Sequence, residues 1–158
     1  TLLDAIARAV VRRDLDTARA LLRRALDARV ERDDLIYGAL WVKLLEGTLR
    51  AKPDGTVATA LDTSGEAPPN SWTAKLTRWA SGKLSDADLA KQAQSGSQRV
   101  EAAFYQAMSR RVAGDASGEA GLREVAQSAH LDLVEVQLAR ELLFPPMRLE
   151  VPRNVQLP

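Results

Sequence analysis

The 158-residue chain contains no cysteine, one histidine and only seven aromatic residues. The absence of cysteine excludes disulfides and thiolate metal sites, and it leaves the redox compartment open. The formal net charge of +1 gives the chain no general attraction to nucleic acid or to an anionic membrane. No apolar run approaches the roughly 20 residues that a membrane-spanning helix needs. We therefore expect a soluble protein of the cytoplasm or periplasm, with no nucleic-acid binding and no membrane insertion.

Catalytic motifs are also missing. The one histidine, His130, stands beside a predicted helix start, where an imidazole caps or packs more often than it acts as a base. The paired acids Asp86 and Asp88 fall in the first turn of a predicted helix, where carboxylates stabilise the helix N-terminus. Asp132 and Glu135 are three residues apart but have no metal partner of the right type. With no G-x-S-x-G, P-loop or H-E-x-x-H motif, we expect no enzyme activity, no cofactor and no metal.

Alanine, leucine and arginine are abundant, and they favour helices over strands. Hydrophobic residues make up 46% of the chain and charged residues 27%, as in a folded domain. Apolar residues recur three and four positions apart, in stretches separated by Gly, Asp or Pro turn signals. The pattern predicts an all-α protein with four antiparallel helical hairpins, at about residues 2–30, 34–62, 71–95 and 98–129. A capping helix at 133–143 and a Pro-rich, extended or disordered tail at 144–158 complete the prediction.

The breaks between paired helices recur at a nearly fixed period. They fall 34, 35 and 32 residues apart, at Arg13, Gly47, Gly82 and Gly114. Ten residues before each break stands a large apolar residue: Leu3, Tyr37, Trp72 and Phe104. Unrelated amphipathic helices would not keep this register over four units, so the sequence predicts a repeat protein.

This pattern resembles the tetratricopeptide repeat, a helix-turn-helix unit of about 34 residues. The similarity covers residues 2–129 and is closest in the fourth unit, at the small residues and turn Ala107, Gly114 and Ala120. The family's W-x2-L-G-x2-Y signature is kept only as Trp41 and Leu44 with a displaced glycine, and no unit ends in the expected proline. The resemblance implies an α-α superhelix, a non-enzymatic scaffold that binds a protein or peptide segment on its concave face.

Residues of the first helix in each pair form the concave face in this family. Transferring the register gives a candidate partner-binding set: Tyr37, Trp41, Trp72, Leu76, Trp79, Phe104, Met108 and Arg111. Aromatic residues at helical spacing are more often core residues than ligand contacts, so the same stripe also has a packing interpretation. Trp79 and Arg111 stand nearest to helix ends, where packing thins, and an exposed Trp or Arg is a typical interface anchor.

Charge is unevenly distributed along the chain. The first 32 residues hold eight arginines against five acids, whereas residues 119–141 hold five acids against two arginines. A basic patch could form from Arg12, Arg13, Arg19, Arg23 and Arg24. Such a chain suits an acidic partner, or head-to-tail association of copies. A solvated helix face is the structural alternative.

Two functions fit these patterns. The first is an interaction module, part of a larger protein or complex, that binds a segment of another protein. The second is a self-association element that forms a homo-oligomer through its terminal faces or its tail, in which Met147, Leu149 and Val151 alternate as in a groove-bound strand. A small-ligand sensor would need a polar-lined pocket that no spacing here predicts. Because the chain starts at Thr1 without a Met or a signal-like region, we expect it to be a piece of a longer protein.

Overall fold

The computed structural model describes residues 1–64 and 68–144, and these residues form nine α-helices without a strand. The all-α prediction is confirmed for this part of the chain, whereas the tail predicted at 144–158 lies outside it from residue 145 onwards. The helices are α1 (Leu2–Val11), α2 (Leu15–Asp27), α3 (Arg32–Leu49), α4 (Thr56–Thr63), α5 (Trp72–Ala80), α6 (Asp86–Gln92), α7 (Gly96–Val112), α8 (Ser117–Ala126) and α9 (Val134–Leu143).

Short polar side chains begin several of these helices. The carboxylate of Asp14 accepts the backbone N–H of Thr17 at 3.1 Å and so caps α2. Ser71 and Ser85 cap α5 and α6 in the same way. Each cap satisfies one of the backbone donors that a helix N-terminus leaves without a partner.

Gly47 does not end α3, although the sequence pattern placed a break there. The helix continues to Leu49, and Arg50 takes the left-handed conformation (φ 51°) that ends it. Gly47 serves a different purpose, because a Cβ built on it would lie only 2.8 Å from Cγ1 of Val112. The missing side chain therefore lets α7 approach α3 closely.

The helices pack mainly as adjacent pairs: α1 with α2, α3 with α4, α5 with α6, and α7 with α8, followed by α9 against α8. The long helices α3 and α7 also contact each other across the middle of the chain. In addition, α1 contacts α9, so the first and last described helices are neighbours. In an open solenoid each unit contacts only the next one, and the packing here is therefore more closed than a purely sequential array. None of the described helices is both long and apolar enough to span a lipid bilayer.

Candidate functional site

The eight residues of the candidate partner-binding set differ in their exposure. Four have exposed fractions of 3% or less and lie in the core: Trp41, Leu76, Phe104 and Met108. The other four are half-buried: Tyr37, Trp72, Trp79 and Arg111. Chiefly the four half-buried residues can therefore contact a partner directly. Trp79 and Arg111, the two anchors favoured from the sequence, are among them.

Two buried glutamates organise the aromatic residues of α3, α5 and α7. On α7, Glu101 accepts a hydrogen bond at 2.9 Å from the Tyr37 hydroxyl and another, at the same Oε2 atom, from the Trp72 indole N–H. The sequence analysis missed Glu101. Its position on the same side of α7 as the core residue Phe104 was the available signal, since an acid three residues from a large apolar residue shares its helical face.

The second glutamate, Glu135, lies on α9, two helices further along the chain. Trp41 Nε1 donates to the Tyr105 hydroxyl at 3.0 Å, and that hydroxyl donates to Glu135 Oε1, also at 3.0 Å. The hydroxyl thus links α3, α7 and α9 in a fully buried position. From the sequence, Glu135 was weighed as a metal ligand and counted among the acids of residues 119–141, and Tyr105 was not identified.

Burial dominates the electrostatics of this cluster. Desolvation, together with the negative charge of Glu101, raises the pKa of Glu135 to about 7, and desolvation also raises the pKa of Glu101. The pKa of Tyr105 is raised well above its usual value by burial and by the charge of Glu135. Neither glutamate forms an ion pair with a cation among the described residues. The cluster links α3, α5, α7 and α9 by hydrogen bonds, and burial favours the protonated form of its carboxyls.

The C-terminal ends of four helices surround a cleft of about 400 Å³. We call it the arginine cleft because three arginines line it: Arg13 follows α1, Arg50 follows α3, and Arg111 lies on α7. Its remaining lining is mostly apolar and includes Val10, Leu45, Met108, Val112 and Leu142, with the carboxylate of Glu141 on α9. Arg13 and Arg50 are exposed, and Arg111 is half-buried. None of the three arginines forms an ion pair within residues 1–64 and 68–144.

The predicted basic patch is divided between different environments. Arg19 donates to Glu46 at 2.8 Å and to the Lys52 carbonyl at 2.7 Å, and Arg23 pairs with Asp54 at 3.1 Å. These two arginines are thus engaged in holding α2 against α3 and the segment before α4. Arg13 lines the arginine cleft, whereas Arg12 and Arg24 are exposed and do not line it.

A second cleft, of about 490 Å³, lies on the other side of the contact between α3 and α7. We call it the tryptophan cleft, since Trp79 lines it together with the apolar residues Leu40, Leu44, Leu84 and Val112. The Trp79 indole is fixed by a hydrogen bond from Nε1 to Asp86 Oδ1 at 2.7 Å, and its ring lies 5.7 Å from that of Tyr105. Val112 lines both clefts, so they flank the same end of α7.

Metal-binding clusters are not found among the described side chains, in which no three His, Asp or Glu residues stand close enough to share an ion. His130 is half-buried beside the start of α7, where a Cβ built on Gly96 would lie 2.9 Å from its Nε2 atom. The His130 imidazole therefore packs against α7 at Gly96.

Comparison with known proteins gave no match, either to a family model, to a curated protein or to a solved structure. Any assignment of function therefore depends on the clefts and side chains described above.

Proposed function

We propose that this chain is a protein-interaction module that binds a segment of a partner protein at the C-terminal end of α7. One observation carries the proposal: Trp79 and Arg111, both half-buried, line two clefts that share Val112. Trp and Arg are the residue types that most often dominate binding energy at interfaces. Both residues border the same end of α7, one in each cleft.

The shape and composition of the clefts support the same proposal. Their volumes, about 490 and 400 Å³, lie within the range of pockets that bind small ligands and single anchoring side chains. Both combine an apolar lining with a few polar groups, which is how protein sites fix the orientation of what they bind. In this interpretation the paired helices are degenerate tetratricopeptide-like repeats, and the two clefts take the place of an open concave face.

Comparative capture tests the proposal. The wild-type chain, Trp79→Ala, Arg111→Ala and the control Arg24→Ala are immobilised at equal loading, after circular dichroism has shown that all four are folded. Proteins retained from an extract are then quantified by mass spectrometry. We expect at least one protein to be retained by the wild type and by Arg24→Ala, and to be reduced on both cleft variants. If every retained protein binds all four chains equally, the proposal is wrong.

Self-association is a second candidate, favoured by one observation at the residue that follows α9. Phe144 is 75% exposed and lines a further cleft between α8 and α9, together with Ala126 and Leu143. An exposed aromatic residue next to an apolar cleft is a feature of association surfaces. Light-scattering mass over a range of concentrations decides between the candidates. A mass that stays monomeric favours the interaction module, whereas a dimer that Phe144→Ser abolishes favours self-association.

A further inference from the structure

We infer that the arginine cleft binds an acidic segment that also carries a large apolar side chain. The inference rests on the proposed function and adds the chemistry of the partner. It starts from the unusual lining of this cleft, where three arginines from separate parts of the sequence stand beside apolar side chains.

The charges of the cleft favour a negatively charged occupant. Three guanidinium groups stand against the single carboxylate of Glu141, and none of the three pairs with an acid in the described part of the chain. Guanidinium groups bind carboxylates through paired, charge-assisted hydrogen bonds. A segment with one or two acidic residues would supply the missing partners.

The helix ends around the cleft oppose this positive charge only in part. A helix C-terminus carries a partial negative charge on its unsatisfied carbonyl groups. Here α1 and α3 end in Schellman motifs, in which the N–H of Asp14 bonds to the Ala9 carbonyl at 3.0 Å and that of Ala51 to the Glu46 carbonyl at 2.9 Å. Since these carbonyls already accept hydrogen bonds, the arginines are available to an external anion.

The apolar part of the cleft lining favours the other feature of the inferred segment, its large apolar side chain. Val10, Leu45, Met108 and Leu142 come from four different helices and supply the apolar part of the lining, in which the first three are almost fully buried and Leu142 is half-buried. Methionine adapts its shape to different occupants, since its side chain is unbranched and flexible. An apolar side chain of the partner would contact this lining while neighbouring carboxylates reach the arginines.

The left-handed conformation of two of these arginines provides a matched set of variants. Arg13 (φ 57°) and Arg50 (φ 51°) occupy the position after a helix where glycine is usual, and so does Arg29 (φ 50°), which is exposed and away from the cleft. Replacement by glycine relieves the backbone in all three cases. Only Arg13→Gly and Arg50→Gly remove charge from the cleft, so Arg29→Gly is the control.

The experiment is selection of peptides from a random library displayed on phage, against the wild-type chain. We expect enriched sequences to combine Asp or Glu with a Leu, Ile, Phe or Met. The Kd of the best synthetic peptide should increase about threefold for Arg13→Gly and Arg50→Gly, and about tenfold for Arg111→Ala, but should not change for Arg29→Gly. Replacing its acids by Asn or Gln, or raising NaCl from about 0.05 to about 0.5 M, should also weaken binding.

Three results would overturn the inference, and they differ in whether the proposed function survives. Enriched peptides without acids, whose binding depends on Trp79 and not on the three arginines, would contradict an acidic partner but agree with an interaction module. A library without any enriched sequence would contradict both proposals. Binding of an acidic peptide that Arg29→Gly weakens as much as Arg50→Gly would also overturn the inference, because the effect would then not come from the cleft.

Discussion

The Tyr105 hydroxyl donates a hydrogen bond to Glu135 Oε1 at 3.0 Å, and this bond links α7 to α9 in the core. The carboxylate has no cation beside it among the described residues, and its charge is opposed by burial and by the nearby Glu101. A buried carboxylate without a cationic partner is costly. The stability of the fold should therefore depend on the protonation of this cluster.

The first prediction concerns pH. Glu135 has a pKa of about 7 in the folded chain against 4.5 for an ordinary glutamate, so the folded state binds more protons between these values. The contribution of Glu135 to stability is complete below about pH 4.5 and decreases as the pH rises through 7. Over this interval the free energy of unfolding should fall by about 3 kcal/mol. Urea denaturation between pH 5 and 8 measures the change.

Glu135→Gln is the variant that isolates this effect. Glutamine keeps the shape of the side chain and does not titrate, so we expect the variant to lose much less stability between pH 5 and 8. Glu124→Gln, at an exposed position of α8, is the control and should follow the wild type. If the free energy of unfolding changed equally with pH in the wild type and in Glu135→Gln, this carboxyl would not control the pH dependence of stability. The charge of Glu101 contributes to the raised pKa of Glu135, so the two carboxyls titrate as a coupled pair.

The second prediction concerns Tyr105→Phe. The change leaves the indole N–H of Trp41 and the carboxylate of Glu135 without the hydroxyl between them. Unfolding should become easier by about 1–3 kcal/mol, which is the usual cost of an unsatisfied buried polar group. Tyr37→Phe should cost less, since Trp72 still donates to the same oxygen of Glu101. Equal losses in chemical denaturation would indicate that the Tyr105 hydroxyl has no special role.

The third prediction concerns the contact between α7 and α8. A Cβ built on Gly118 would lie 2.4 Å from the backbone nitrogen of Arg111 and 2.7 Å from the Ala107 carbonyl. Backbone atoms cannot move aside cheaply, so Gly118→Ala should destabilise the fold by about 1–3 kcal/mol. Gly96→Ala meets only the imidazole of His130, which can rotate, and should cost less. Thermal unfolding of the two variants tests this, and a Gly96→Ala loss as large as that of Gly118→Ala would contradict it.

The fourth prediction concerns the arginines that end helices. A non-glycine residue in the left-handed region costs about 1 kcal/mol, and glycine recovers part of it. Arg13→Gly, Arg29→Gly and Arg50→Gly should therefore each stabilise the chain by about 0.5–1 kcal/mol, or leave it unchanged where the arginine stem packs. Denaturant midpoints measure this. Destabilisation of Arg50→Gly by more than about 1 kcal/mol would show that this arginine stabilises the helix end.

Helix positions and their caps could be predicted because they depend on local patterns. Ser71, Ser85 and Asp14 show why, since each capping side chain contacts a backbone group only three residues away. Gly47 was assigned to a turn because a turn glycine and a close-contact glycine look the same in one sequence. Its true role depends on Val112, which lies far along the chain.

The candidate site was less accessible to sequence reasoning. The arginine cleft combines the ends of α1, α3, α7 and α9, and the contact of α1 with α9 cannot be read from local periodicity. Arg13 and Arg111 were both identified as candidates, but for separate reasons and at separate surfaces. Glu101 shares a helical face with the core residue Phe104, but the three-dimensional packing is what shows that Glu101 and Glu135 are buried.

The most direct test of the proposed interaction site is a two-dimensional NMR titration of the ¹⁵N-labelled chain with a segment that it captures or selects. We predict shift changes at the Trp79 indole and at the backbone amides of Arg13, Arg50 and Arg111, which border the two clefts. Changes centred instead on Leu143 and Phe144, or changes absent from both clefts, would contradict the account.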